Sequence, residues 1–85
     1  MVKTFGTEAD AVKRIRTRQG KTLREVRTLR QLSLSDVAEA VGVSVGAVSH
    51  WENGRWSPQQ HHQVAIAKTL GVPWSTIFGL DGEVA

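Results

Sequence analysis

The sequence predicts an all-α fold of five core helices, preceded either by an extra N-terminal helix or by a mobile basic arm. Two observations carry this prediction. Apolar residues recur along the chain at the three- and four-residue spacing of one helix face. Ser, Thr and Pro stand where such patterns begin, and Gly stands where they end.

The centre of the chain, residues 33–58, contains two short helical patterns joined by a tight turn. Ser33 and Asp36 have the spacing of a capping box, and Gly42 is expected to end the first helix. Ser44 is placed to cap a second helix. Apolar residues at i, i+3, i+4 and i+7 line the first helix: Leu34, Val37, Ala38 and Val41. The segment therefore predicts a helix, a three-residue turn and a second helix.

The preceding segment predicts one further core helix. Thr22 is expected to cap it, and it should run from Leu23 to about Gln31 with Val26 and Leu29 facing inward.

Residues 8–19 are open to two interpretations. Thr7 and Asp10 have capping-box spacing, and Gly20 would end a helix that begins here. The apolar stripe of Ala9, Val12 and Ile15 is narrow and surrounded by positive charges, which is also typical of a mobile arm.

The C-terminal third predicts two more helices. Residues 54–57 are expected to form a loop. Pro58 suits the first position of the next helix, and Gly71 should end that helix. Pro73 should open a last short helix. The apolar residues expected on these two helices are Val64, Ile66, Ala67, Leu70, Trp74, Ile77 and Phe78.

Length and composition restrict the function classes. Eighty-five residues suit one domain with a modest core, organised as an arm or extra helix over 1–21, a domain over 22–80 and a loose tail over 81–85. The chain has no cysteine, which is compatible with a reducing cytosol. No apolar run approaches the ~20 residues of a membrane span, and the N-terminus lacks the apolar core of a signal peptide. A cytoplasmic protein without enzymatic activity or cofactor is expected.

The charge is unevenly distributed. Residues 1–30 hold nine basic and three acidic groups, a local charge of +6, whereas residues 31–85 hold two basic and five acidic groups, a local charge of −3. Attraction for a polyanion should therefore come mainly from the N-terminal third.

The central segment resembles the Cro and phage-repressor type of helix-turn-helix protein, the XRE family. A looser likeness extends from about Leu23 to Leu80. The residues that carry the resemblance, in chain order, are Ser33, Val37, Ala38, Gly42, Val43, Ser44, Val48, Glu52, Asn53, Gly54, Arg55 and Pro58.

The resemblance implies a set of DNA contacts. The second motif helix would enter the major groove, since residues near its N-terminal end face base edges in such proteins. The residues expected to read bases are Ser44, Val45, Gly46, Ser49 and His50. Those expected to bind phosphate are Ser33, Ser35, Asn53 and Arg55 in the motif, with Lys13, Arg14, Arg16, Arg18 and Lys21 before it. Alternatives remain for two of them: His50 could be a solvated surface residue, and Val45 a core residue.

Two further expectations follow from the resemblance. Arg27 and Glu52 occupy positions that form a partly buried ion pair in similar repressors, although Arg27 could instead contact phosphate. Leu34 replaces a Gln that often braces the recognition helix in the family, so that contact should be missing here.

The function implied is sequence-specific binding of double-stranded DNA by a transcriptional regulator, in a bacterial cytoplasm or a phage-infected host. Because one such domain reads few base pairs, a homodimer on a palindromic operator is expected. No membrane association and no small-molecule ligand are expected. The alternative is a protein-interaction module, such as an antitoxin or a factor that bridges to the transcription machinery, with its acidic C-terminal half as the binding face.

Two motifs that suggest other chemistry are rejected. Residues 42–46 match G-x-S-x-G, but helical patterns flank them and no histidine follows Asp81, as a hydrolase triad in that order would require. His50, His61 and His62 lack a thiolate partner, and the two adjacent histidines point about 100° apart on a helix, so no metal site is expected.

Overall fold

The structure, a computed structural model, describes residues 8–79. The predicted tail, the cap at Thr7 and Leu80, the end of the looser likeness, lie outside the described residues. Within residues 8–79 there is no strand, and the all-α prediction is confirmed. The five helices are α1 (Glu8–Leu29), α2 (Leu34–Val41), α3 (Val45–Glu52), α4 (Gln60–Leu70) and α5 (Trp74–Phe78).

Helix α1 is a single helix of 22 residues that joins the two helices expected from the sequence. Residues 8–19 are therefore helical and not an arm, and the predicted boundary at 21/22 falls inside α1. The expectation that Thr22 caps a helix was wrong. Thr22 lies inside α1, and its hydroxyl donates to the carbonyl of Arg18 one turn earlier (3.1 Å). A mid-helix Ser or Thr commonly satisfies its hydroxyl in this way.

Gly20 does not end a helix, and the reason for a glycine at this position is a close approach of two backbones. It is buried, and a Cβ built on it would lie 2.3 Å from the carbonyl oxygen of Trp51 and 2.6 Å from that of Glu52. The last turn of α3 therefore packs directly on the backbone of α1. A glycine costs a helix interior about 0.5–1 kcal/mol relative to alanine, and this contact supplies the reason for its presence.

The C-terminus of α1 closes with a reversal of the chain. Gln31 adopts a left-handed conformation (φ 60°), and the Leu32 amide donates to the carbonyl of Arg27 (3.1 Å), as in a Schellman motif. Leu29 is 80% exposed, so the expectation that it faces inward was wrong. Val26 does pack against the core.

The helix-turn-helix segment folds as its capping residues predict. Ser33 accepts from the Asp36 amide (2.9 Å) while the Asp36 carboxylate accepts from the Ser33 amide (2.8 Å), which completes the capping box. Gly42 ends α2 in a left-handed conformation (φ 87°) that glycine adopts without strain. Ser44 caps α3 by accepting from the Ala47 amide (3.1 Å).

The core lies where all five helices meet. Val37, Val48 and Ile66 are fully buried, and they join α2, α3 and α4. Trp51 is 6% exposed and belongs to the core. The other members of the buried apolar cluster are Leu23, Ala38, Leu70, Ile77 and Phe78. No helix within residues 8–79 has the length and apolar character needed to cross a membrane.

The boundaries of the last two helices differ slightly from expectation. Pro58 is buried in the loop and α4 begins at Gln60, so the proline precedes the helix instead of opening it. Its carbonyl accepts from the Gln63 side chain (3.1 Å), which fastens the loop to the first turn of α4. Gly71 ends α4 as predicted. Val64, expected on the apolar side of α4, is 52% exposed.

We expect Gly20→Ala to destabilise the protein by about 1–3 kcal/mol, because the added methyl group would force α1 and α3 apart. Gly46→Ala is the matched control, since the nearest atom to its Cβ is the Ser44 Oγ at 3.8 Å. That control should leave stability unchanged or raise it, because alanine is the better helix former. Urea denaturation of both variants measures the difference. Equal stabilities would contradict the close packing at Gly20.

Candidate nucleic-acid interface

Helix α3 presents one polar face to the outside. Its inner side is fixed by Val48 and Trp51, both buried. At 100° per residue, the direction opposite these two is occupied by Gly46, Ser49 and Asn53. Gly46 and Asn53 are exposed and Ser49 is half-buried. An accessible polar stripe thus runs the length of α3.

His50 and Val45 lie on the two edges of this stripe. Val45 is 42% exposed, which removes the alternative of a core valine. His50 is half-buried because other side chains cover part of its ring. It stacks on Trp56 with ring centroids 4.1 Å apart, and its Nδ1 lies 3.4 Å from the Nη1 of Arg55. His50 is therefore more than a solvated surface residue.

Arg27 and Glu52 are paired in the structure. The Arg27 Nε donates to the Glu52 Oε2 (2.6 Å) and its Nη2 donates to Oε1 (3.1 Å), a bidentate contact. A third bond runs from the Arg27 Nη1 to the carbonyl of Leu32 (2.8 Å). The side chains are only 14% and 6% exposed. The hydrogen bonds from the guanidinium to Glu52 raise the pKa of Arg27.

The same pair explains why Arg27 is unavailable to phosphate. All three of its donor nitrogens are engaged within the protein, and its partner is the last residue of α3. The pair therefore ties α1 to the C-terminal end of α3, next to the Gly20 contact.

The N-terminus of α2 holds two of the candidate phosphate ligands. Ser33 and Ser35 are exposed, and Ser33 already serves as the helix cap. Its amide donates to the carboxylate of Asp36, which lowers the pKa of that group. Leu34, between them, is partly buried and packs against the core.

The other two candidate phosphate ligands of the motif, Asn53 and Arg55, lie at the C-terminus of α3. The Asn53 side-chain amide donates to the Ser49 carbonyl (2.9 Å) and stays exposed. Arg55 is exposed, and its backbone amide donates to the carbonyl of His50 (3.0 Å). Asn53 ends the polar stripe, and Arg55 follows it two residues later.

The basic residues of α1 lie on a rigid helix next to this end of α3. The Arg16 Nε donates to the Gly54 carbonyl (3.2 Å), so part of this side chain is structural. A Cβ on Gly54 would meet the backbone of Thr17 at 2.9 Å, which shows how closely the two segments approach. The other candidates in this segment are all exposed: Lys13, Arg14, Arg18 and Lys21.

The sequence did not indicate several contacts that shape the site. No sequence pattern indicated that Trp56 contacts His50, because the two are six residues apart, with His50 in a helix and Trp56 in the loop after it. The contact of Arg16 with Gly54 spans 38 positions, and no local pattern signals it. The positive φ of Gly54 (75°) needs a glycine and was visible only as part of the family motif.

The three histidines do not come together. The rings of His61 and His62 lie 4.1 Å apart, and His62 lies against Trp51 instead of His50. Within residues 8–79 no cluster of three or more potential metal ligands is found.

Two short helices joined at Gly42, with the second exposed along one polar face, define a helix-turn-helix protein. The chain belongs to the HTH_3 helix-turn-helix family, whose model matches residues 23–77. A search of the curated proteins found no significant match.

Solved structures of regulators share the fold. The restriction-modification controller protein C.AhdI from Aeromonas hydrophila is 28% identical, with a TM-score of 0.69, over 82% of this chain and 98% of that one. The clp gene regulator ClgR from C. glutamicum is 28% identical, with a TM-score of 0.71, over 84% of this chain and 94% of that one.

A third similar structure is part of a longer protein. The HTH_3 family transcriptional regulator from Vibrio cholerae is 27% identical, with a TM-score of 0.74, over 86% of this chain and 41% of that chain. Family and structural neighbours together support a DNA-binding transcriptional regulator as the class of this protein.

We expect Arg27→Ala or Glu52→Ala alone to destabilise the fold by about 1–4 kcal/mol, because each change leaves a mostly buried charge without its partner. The double variant should cost less than the sum of the two. Thermal melts of the four proteins measure the coupling, and strictly additive losses would contradict it.

Proposed function

We propose that this regulator binds double-stranded DNA sequence-specifically, with α3 in the major groove. The observation that carries the proposal is the accessible polar face of α3, held rigidly by the capped turn before it and the ion pair behind it. A helix positioned in this way is the reading element of helix-turn-helix proteins.

The chemistry of this face suggests how bases are read. His50 and Ser49 supply hydrogen-bonding groups, while Val45 offers only apolar contact, which suits a thymine methyl group. Gly46 adds no side chain, so the DNA can approach the helix backbone closely at that point. Ser44 lies at the edge of the groove.

Phosphate binding is proposed for both ends of the motif and for α1. Ser33, Ser35, Asn53 and Arg55 flank α3, where contacts to the backbone of DNA would fix its register. On α1, Lys13 lies on the same side as Gly20, and Lys21 lies about 100° from it, facing away from the buried Leu23. A rigid basic helix beside α3 replaces the flexible arm that the sequence allowed.

Binding as a homodimer to a palindromic operator belongs to the same proposal, because a single α3 spans only a few base pairs. Occupancy of the operator would block or recruit RNA polymerase. The setting is the cytoplasm of a bacterium or of a phage-infected host.

A protein-interaction module is the second candidate, favoured by the apolar surface of α4 and α5. Val64 and Trp74 are 52% and 43% exposed, and the C-terminal half carries the acidic charge. An antitoxin or a bridging factor could use such a face. Titration of random duplex DNA at two salt concentrations separates the candidates, since a protein-binding module would show no salt-sensitive DNA affinity.

We expect replacement of Lys13, Arg14 and Lys21 by glutamine to weaken binding to every duplex alike, because these residues would contact phosphate and not bases. Each lost contact should flatten the slope of log affinity against log salt by about 0.9. Lys68→Gln is the matched control, since Lys68 is exposed on α4 outside the basic segment. An unchanged slope in the folded triple variant would refute the role of α1.

We expect His50→Ala to lose about 1–3 kcal/mol of preference for a selected site over scrambled DNA, because a base contact contributes to discrimination. Nonspecific binding should remain nearly intact. Competition between the two duplexes measures the preference, and equal losses on both would show that His50 does not read sequence.

A further inference from the structure

His50, Arg55 and Trp56 form a cluster at the C-terminal end of α3. We propose that Trp56 and Arg55 are positioning residues that fix both the orientation and the proton of His50, so that His50 reads guanine through its Nε2–H. The inference rests on the proposed function and adds to it the identity of one recognised base.

The orientation follows from the stacking contact. The rings of His50 and Trp56 lie 4.1 Å apart at an angle of 36°, so the indole covers one face of the imidazole. Trp56 is 54% exposed, and it also lines a cleft with Arg16 and Pro58. The covered face is closed to a base, and the contact holds the ring in one orientation, with a ring edge available to DNA.

The contact with Arg55 determines which ring nitrogen of His50 carries the proton. An arginine side chain carries donors only and keeps its charge at all relevant pH values. Its Nη1 lies 3.4 Å from the His50 Nδ1, at the long end of hydrogen-bonding distances. A neutral imidazole has one donor and one acceptor nitrogen. The contact is favourable only when Nδ1 holds the lone pair, which leaves the proton on Nε2.

The preferred base follows from the position of this proton on the His50 Nε2. In the major groove guanine presents two acceptors, N7 and O6, whereas cytosine presents the N4 amino donor. Adenine mixes an acceptor with a donor, and thymine combines one acceptor with a methyl group. A single outward N–H at a fixed position therefore matches guanine best, because both major-groove groups of guanine accept. If cytosine takes the place of that guanine, its N4 amino donor opposes the N–H.

The cluster can be tested first without DNA. Stacking on an indole should shift the His50 ring protons upfield in the NMR spectrum, and Trp56→Ala should abolish that shift. With His50 in its neutral form, the nitrogen spectrum should show the unprotonated nitrogen at Nδ1. Trp74→Ala is the matched control, because Trp74 has similar exposure (43%) but lies on α5. Absence of the upfield shift in the unaltered protein would overturn the proposal.

The second test uses a duplex selected by the unaltered protein from random-core DNA, followed by all single-base replacements of that duplex. One position should require guanine, and His50→Ala should erase that requirement. Trp56→Ala and Arg55→Ala should each reduce the guanine preference roughly 2- to 10-fold at that position only, the effect of one hydrogen bond. Arg55→Ala should also weaken binding to every duplex alike, because Arg55 is a proposed phosphate contact. Trp56→Phe should retain most of it. Combining His50→Ala with Trp56→Ala should bring no further loss there.

Three results would contradict the inference. A uniform loss of affinity in Trp56→Ala at every position would make Trp56 a structural or backbone-contacting residue. A His50-dependent position that prefers cytosine would contradict the assigned proton. An equal change of base preference at the same position in Trp74→Ala would show that the effect is not specific to Trp56. If the unaltered protein selects no sequence at all, the proposed function itself fails, and this is seen before any variant is made.

Discussion

The charged pair between Arg27 and Glu52 is the constraint on which the placement of α3 depends. A helix of eight residues is too short to be stable alone. It is held instead by Val48 and Trp51 on its inner side and by the ion pair at its last residue. Because removing either charge would leave the other mostly out of water, the pair also discourages alternative packings of α3 against α1.

The sequence predicted the motif well because its signals are local. The capping box at Ser33, the left-handed Gly42 and the cap at Ser44 each depend on residues within four positions of one another, and each is present in the structure. The polar face of α3 then follows from helix periodicity alone. For the same reason the buried residues of α2, Val37 and Ala38, could be named in advance.

The failures have a common physical cause. Gly20 was taken as a helix end because glycine usually acts locally, whereas here it allows two backbones distant in sequence to touch. Thr22 was wrongly expected to cap a helix, because α1 continues through Gly20. Leu29 was wrongly expected to face inward, because the orientation of α1 is set by its packing on α3 and α5. The cluster around His50 was also invisible, because the position of Trp56 depends on how the loop after α3 folds back.

The continuity of α1 has a thermodynamic consequence for how the protein meets a polyanion. A flexible arm loses conformational entropy when it settles on DNA, roughly 1–2 kcal/mol for each residue that becomes fixed. Twelve residues that the sequence left open to such an arm, 8–19, are already ordered within α1. The entropy cost of ordering them is already part of folding, so in the proposed function charge on this helix would attract DNA without that penalty at the moment of binding. The same rigidity limits which backbone contours the helix can follow, so it favours one docking geometry over many.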